Sequence, residues 1–104
     1  MKEISVIDLK ARIDAGEDIQ VIDIREMDEY NYCNIGAQHI PMGEIMANLD
    51  QISKTKDVVI HCKSGGRSTS MVMALMARGY QNVINLRGGI IAWSNEIDPS
   101  ISKY

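Results

Sequence analysis

The sequence has no Phe, one Trp, two Pro and two Cys in 104 residues. Two cysteines cannot build a disulfide scaffold, so the fold must rest on a packed core. With so few aromatics that core must be aliphatic and thioether-rich, and seven Met supply part of it. No apolar run approaches the length of a helical membrane span, so no membrane association is expected. An excess of basic residues is also missing. Eleven Lys and Arg stand against fourteen Asp and Glu, a net charge of −3 that lacks the footprint of a nucleic-acid binder. Met1-Lys2-Glu3 leads into mixed polar residues rather than an apolar stretch, so no secretory signal is read and a reducing, cytoplasmic setting is expected. What is present is ordinary for a globular chain: 45% hydrophobic and 24% charged residues. One domain over residues 1–104, without repeats or linkers, accounts for the whole sequence.

Short β-branched runs alternate with helical patterns. Ser5 to Asp8 has the spacing of a capping box, Leu9 and Ile13 extend an apolar face, and Gly16 is placed to end that helix. Ile19 to Ile24 reads as a buried strand, Glu26 to Tyr32 as a short helix, and Ala37 to Ile40 as a brief strand stopped by Pro41. Gly43 to Ile52 reads as a further helix and Val58 to Ile60 as a second buried strand. Ser68 to Arg78 is a helix closed by Gly79, Val83 to Leu86 a final strand, and Gly89 to Glu96 a last helix. Strands apolar on both faces and separated by helices predict an α/β fold with a mostly parallel sheet covered on both sides. Such sheets bind ligands at the carboxyl ends of their strands.

The chemistry concentrates at one of those ends. The run Val58-Val59-Ile60-His61 delivers the chain into Cys62-Lys63-Ser64-Gly65-Gly66-Arg67, after which a helix begins. Paired glycines permit a tight turn with its N–H groups aimed inward, which makes an anion-binding nest. A helix N-terminus adds partial positive charge, and Lys63 and Arg67 add formal charge. A thiol placed there should ionise more readily than a free cysteine, because the thiolate is the favoured form. A lone cysteine at a strand end reads as a small buried hydrophobe. Strand, Cys, glycines, Arg and helix together read as a nucleophile in a prepared anion pocket. Neither His39 nor His61 has metal-ligand spacing with the cysteines, so both read as structural and no metal site is expected.

Taken together, these segments resemble the rhodanese family of thiosulfate sulfurtransferases and their single-domain relatives. Val21 to Glu26 with Glu29-Tyr30 looks like the family's Asp-x-Arg segment. Ile35-Gly36-Ala37 and His39-Ile40-Pro41 are similar to its next signature, although Cys33-Asn34 replaces the Gly-His that many relatives carry there. Cys62 to Arg67 resembles its six-residue active loop, and Leu86 to Trp93 its Gly-Gly-x-x-x-Trp motif. The resemblance implies a rhodanese-like α/β fold and transfer of sulfane sulfur. Cys62 would be the catalytic nucleophile, and Lys63, Ser64, Gly65, Gly66 and Arg67 would bind the substrate. The partners implied are a small anionic sulfur donor such as thiosulfate and a thiol or protein acceptor, with cyanide as an assay substitute. No metal or organic cofactor is implied.

Two other readings compete. Cysteine-dependent phosphatases and arsenate reductases use a comparable loop, but with one residue more than the four that separate Cys62 from Arg67. A persulfide carrier or regulatory module docking on a partner protein would keep the same loop. Asp23 and Arg25 read as an internal brace, and Trp93 as a core anchor. Met71, Val72, Leu75 and Met76 read as a core stripe, and Glu26, Asp28 and Glu29 as a solvated face. Cys33 has no Gly-rich turn or cationic cluster beside it and no sequence reason to be a persistent thiolate.

Overall fold

The computed structural model describes residues 1–102. Among them five parallel strands form one sheet in the order β1-β5-β4-β2-β3. In chain order the strands are β1 (Lys2–Ile4), β2 (Gln20–Asp23), β3 (Gln38–His39), β4 (Val58–His61) and β5 (Val83–Leu86). The helices are α1 (Val6–Asp14), α2 (Met27–Tyr32), α3 (Gly66–Ala77) and α4 (Gly89–Glu96).

Every residue of β4 and of β5 is buried, as a strand covered on both faces must be. Alternation divides them between two cores. Val58, Ile60 and Val83 join Ile22, Met71, Val72 and Leu75 under α3. Val59, Ile84 and Leu86 join Leu9 of α1 and Trp93 of α4 on the opposite face, which makes Trp93 the expected anchor. The Ser5 hydroxyl caps α1 by accepting the Asp8 N–H at 3.1 Å.

Three expectations need correction. Gly43–Ile52 is not one helix but two 3-10 turns, Met42–Glu44 and Leu49–Gln51. The Asn48 side chain donates to the Glu44 carbonyl at 2.8 Å, and its own backbone leaves the helical region, so the first turn cannot propagate. The strand β1 has no counterpart in the sequence reading. It is three residues long with one buried side chain, Ile4, too short for periodicity to register. Met76 is 44% exposed, because the buried face of α3 follows Ser68, Met71, Val72 and Leu75 and has turned past it. Helix α3 also begins at Gly66, two residues earlier than expected, inside the loop that carries the candidate chemistry.

Candidate active site

The central strand β4 ends at His61, and Cys62 follows at the carboxyl edge of the sheet. Gly65 takes φ +120°, a left-handed conformation open to glycine, and turns the chain into α3. That turn aims backbone donors at sulfur. Cys62 Sγ accepts the Gly65 N–H at 3.2 Å and the Ser68 N–H at 3.4 Å, and it lies 3.4 Å from Ser68 Oγ. Of the paired glycines only Gly65 is left-handed; Gly66 is already the first residue of the helix.

The loop is held in this shape from outside. Its carbonyls point away from sulfur into the N-terminus of α4, where Ile90 N–H donates to Cys62 O at 3.0 Å and Ile91 N–H to Lys63 O at 3.1 Å. Helix α4 therefore uses its unpaired N–H groups to orient the loop, leaving the loop's own N–H groups for the thiol. The approach requires Gly89. A Cβ there would lie 2.5 Å from Lys63 O and 2.6 Å from Cys62 O.

Electrostatics follow from this geometry. Cys62 is 1% exposed, and burial pushes its thiol up. The Ser68 hydroxyl and the N–H groups of Ser68, Gly65 and Ser64 more than offset that, so the thiol lies below its ordinary value. Neutral donors carry the effect. The Arg67 side chain is turned to Glu29, with Nη1 and Nη2 at 2.7 and 2.9 Å from its two carboxylate oxygens. Glu29 thus leaves the expected solvated face and braces α2 against the loop.

The remaining polar residues build the frame. The Arg25 guanidinium donates to Asp23 through Nε at 3.0 Å and Nη2 at 2.8 Å, and to the carbonyls of Glu29 and Cys33. This buried pair is the brace expected from the sequence. His39 stacks on Tyr30 and sits 2.7 Å from the Arg25 carbonyl. His61 is buried, with Nδ1 3.2 Å from Cys62 O. Burial lowers its pKa, against the pull of Asp23, so it stays neutral near pH 7. Cys33 follows α2, and its thiol donates to the Ser102 carbonyl at 3.3 Å. No cluster of metal-ligating side chains occurs among the described residues.

Sequence reasoning missed Ser68 and Glu29 as partners of the loop, and Asn85 and Glu3 as the contacts behind Ser68. One signal was legible: Asn85 is the single polar residue in the strand Val83–Leu86. It is buried and accepts a hydrogen bond from the Ser68 hydroxyl.

A buried thiol ringed by amides thus stands at a helix N-terminus on the carboxyl edge of a parallel sheet, where sheets of this kind bind their ligands. The chain belongs to the rhodanese family: residues 5–96 match the Rhodanese-like domain. It is 40% identical to a sulfurtransferase of Allochromatium vinosum over 98% of this chain and 96% of the relative. A crystal structure of a rhodanese-like domain protein from Staphylococcus aureus superimposes with a TM-score of 0.85 at 30% identity, covering 100% of this chain and 99% of that one. A rhodanese-related protein from Thermoplasma volcanium gives 0.84 at 28% identity, with 100% of both chains covered. The expected fold is the observed one, and the domain is of the sulfurtransferase type.

Proposed function

We propose that this domain moves sulfane sulfur through a persulfide on Cys62. The Cys62 thiolate attacks the outer sulfur of a donor such as thiosulfate. A sulfur–sulfur bond forms to Cys62, the donor's own sulfur–sulfur bond breaks, and sulfite leaves with the bonding electron pair. The terminal persulfide sulfur carries the negative charge, and the N–H groups that surround Cys62 stabilise it. Attack by an acceptor then returns the Cys62 thiolate: cyanide leaves as thiocyanate in an assay, and a thiol or protein persulfide forms with a thiol or protein acceptor.

The observation that carries this reading is the pair of backbone donors, Gly65 N–H and Ser68 N–H, on a thiol at the first turn of α3. Slight exposure of Cys62 favours a single protruding sulfur over a tetrahedral phosphoryl centre. The four residues between Cys62 and Arg67, one fewer than in phosphatase loops, favour it too.

Incubation with thiosulfate followed by intact-mass measurement tests the reading. One added sulfur is expected, mapped by digestion to Cys62 and removed by cyanide. Cys62→Ser should abolish both adduct and turnover, because a hydroxyl cannot carry sulfane sulfur, while Cys33→Ser keeps most activity. Turnover of aryl phosphates, or an adduct confined to Cys33, would overturn it. Slow discharge to cyanide with fast discharge to a protein thiol would mark a carrier rather than a free-standing enzyme.

A further inference from the structure

The hydrogen bonds that reach Cys62 do not end at the loop. Cys62 Sγ contacts Ser68 Oγ at 3.4 Å, Ser68 Oγ donates to Asn85 Oδ1, and Asn85 Nδ2 donates to Glu3 Oε2 at 3.2 Å. Ser68 and Asn85 are buried, and Glu3 and Asn85 are directly paired across β1 and β5. Strand register itself builds the link, from the edge of the sheet to the thiol.

Glu3 fixes the direction of each bond. A carboxylate only accepts, so Asn85 must turn its NH2 to Glu3 and its oxygen to Ser68. Ser68 has one hydroxyl proton, and a buried amide oxygen left without a donor is costly. The Gly65 carbonyl, 3.2 Å from the same hydroxyl, already accepts the Thr69 N–H at 3.0 Å. The proton therefore goes to Asn85. Ser68 Oγ then presents only lone pairs to sulfur, an arrangement that suits an S–H; the lowering of the Cys62 thiol that this hydroxyl contributes is realised only when its proton turns to sulfur. For the hydroxyl to serve the thiolate it must rotate toward sulfur, and Asn85 must flip to regain a partner. Glu3 resists the flip, because the flipped amide would aim its oxygen at the carboxylate.

We propose that Glu3 is a positioning residue for Cys62: through Asn85 it holds the Ser68 hydroxyl turned away from sulfur and so restrains release of the Cys62 proton. The proposal rests on the reading of Cys62 as the reacting thiol. The restraint favours the thiol over the thiolate relative to a Ser68 hydroxyl turned to sulfur, and a thiol is less open to oxidation than a thiolate. Charged and titratable groups around the relay are Arg87, with Nε 3.7 Å from Glu3 Oε1, Lys63 and the Arg67–Glu29 pair at the loop, and His61 with the Asp23–Arg25 pair below it. Apart from Arg87, which loses its Glu3 contact equally with and without the Ser68 hydroxyl, their surroundings are unchanged in the variants below, so none of them can account for a difference between the two backgrounds.

The test is a double-mutant cycle in Cys33→Ser protein, with iodoacetamide alkylation of Cys62 followed against pH. Glu3→Gln supplies an amide that donates or accepts, so Asn85 is free to flip. The alkylation midpoint should fall by about one pH unit, the scale of one hydrogen bond to a charged group. In Ser68→Ala protein the same Glu3→Gln change should leave the midpoint where it is. Glu3→Ala, which exposes the Asn85 amide to water, should behave as Glu3→Gln does and covers the case in which either variant folds poorly. Equal shifts with and without the Ser68 hydroxyl would mean a through-space charge effect and overturn the proposal, as would no shift in either background. Alkylation needs no sulfur donor, so a protein inactive in sulfur transfer still reports on the role of Glu3.

Discussion

Arg67 lays both terminal guanidinium nitrogens on the Glu29 carboxylate, at 2.7 and 2.9 Å. This fork-to-fork pair ties the start of α3 to α2 across 38 residues of sequence. In the proposed reaction, therefore, Arg67 would meet an anionic donor already paired with Glu29, whose side chain is 17% exposed.

Replacing Glu29 by Gln should improve the use of a dianionic donor. The amide oxygen can still accept the Glu26 N–H that Glu29 holds at 3.0 Å, so the cap of α2 survives while the charge and one arm of the Arg67 fork are lost. Removing a competing anion should lower KM for thiosulfate about threefold to tenfold, an effect that shrinks as salt is added. Stability should fall by no more than about 1 kcal/mol, the worth of a partly exposed ion pair. Steady-state kinetics at two ionic strengths decide the matter. An unchanged or higher KM would show that the donor never meets the Glu29 charge.

The glycines of the two motifs should separate sharply under mutation. At Gly89 a methyl group meets two backbone carbonyls that cannot rotate away, on a backbone at φ +57°. Gly89→Ala should cost about 2 to 4 kcal/mol from overpacking and left-handed strain, and reduce sulfur transfer more than tenfold by displacing the loop. At Gly66 a methyl group meets nothing within 4 Å, and the residue is already helical. Gly66→Ala should leave stability unchanged or raise it by up to about 1 kcal/mol, because alanine is the better helix former. Thermal melts of both variants, run beside the activity assay, make the comparison. Similar behaviour of the two would undo the assignment of α4 as the clamp on the loop.

Much of this site was legible because it is local in sequence. Cys62 through Arg67 is one uninterrupted stretch, and a strand followed by glycines and a helix announces a turn with inward amides. The last strand and last helix, Val83–Leu86 and Gly89–Glu96, lie where apolar runs and glycines placed them. What could not be read depends on contacts between distant segments. Glu3 meets Asn85 only because β1 pairs with β5, and a three-residue edge strand with one buried side chain carries no periodicity. Glu29 is one of three neighbouring acids in the sequence, and only the fold sets Arg67 opposite it. The 3-10 turns near Asn48 follow from its side chain bonding the Glu44 carbonyl four residues earlier, a local competition that an apolar pattern does not display.

Arg25 offers the clearest separation of framework from chemistry. Its side chain is fully buried, and it donates to Asp23 and to the carbonyls of Glu29 and Cys33, which joins the end of β2 to the middle and the C-terminal end of α2. Lysine keeps the charge but offers a single ammonium in place of a planar fork, so it cannot hold Asp23 through two nitrogens and reach both carbonyls. Arg25→Lys should therefore leave buried acceptors unmet and destabilise the fold by about 3 kcal/mol, within the range for a broken buried pair. Urea unfolding should show the loss as a lower midpoint at an unchanged slope. Well below that midpoint, loading of Cys62 with sulfur should proceed at a rate within about threefold of the parent, because Arg25 bonds the frame and not the thiol. A variant that stays as stable as the parent yet loses sulfur loading would instead make Arg25 part of the substrate site.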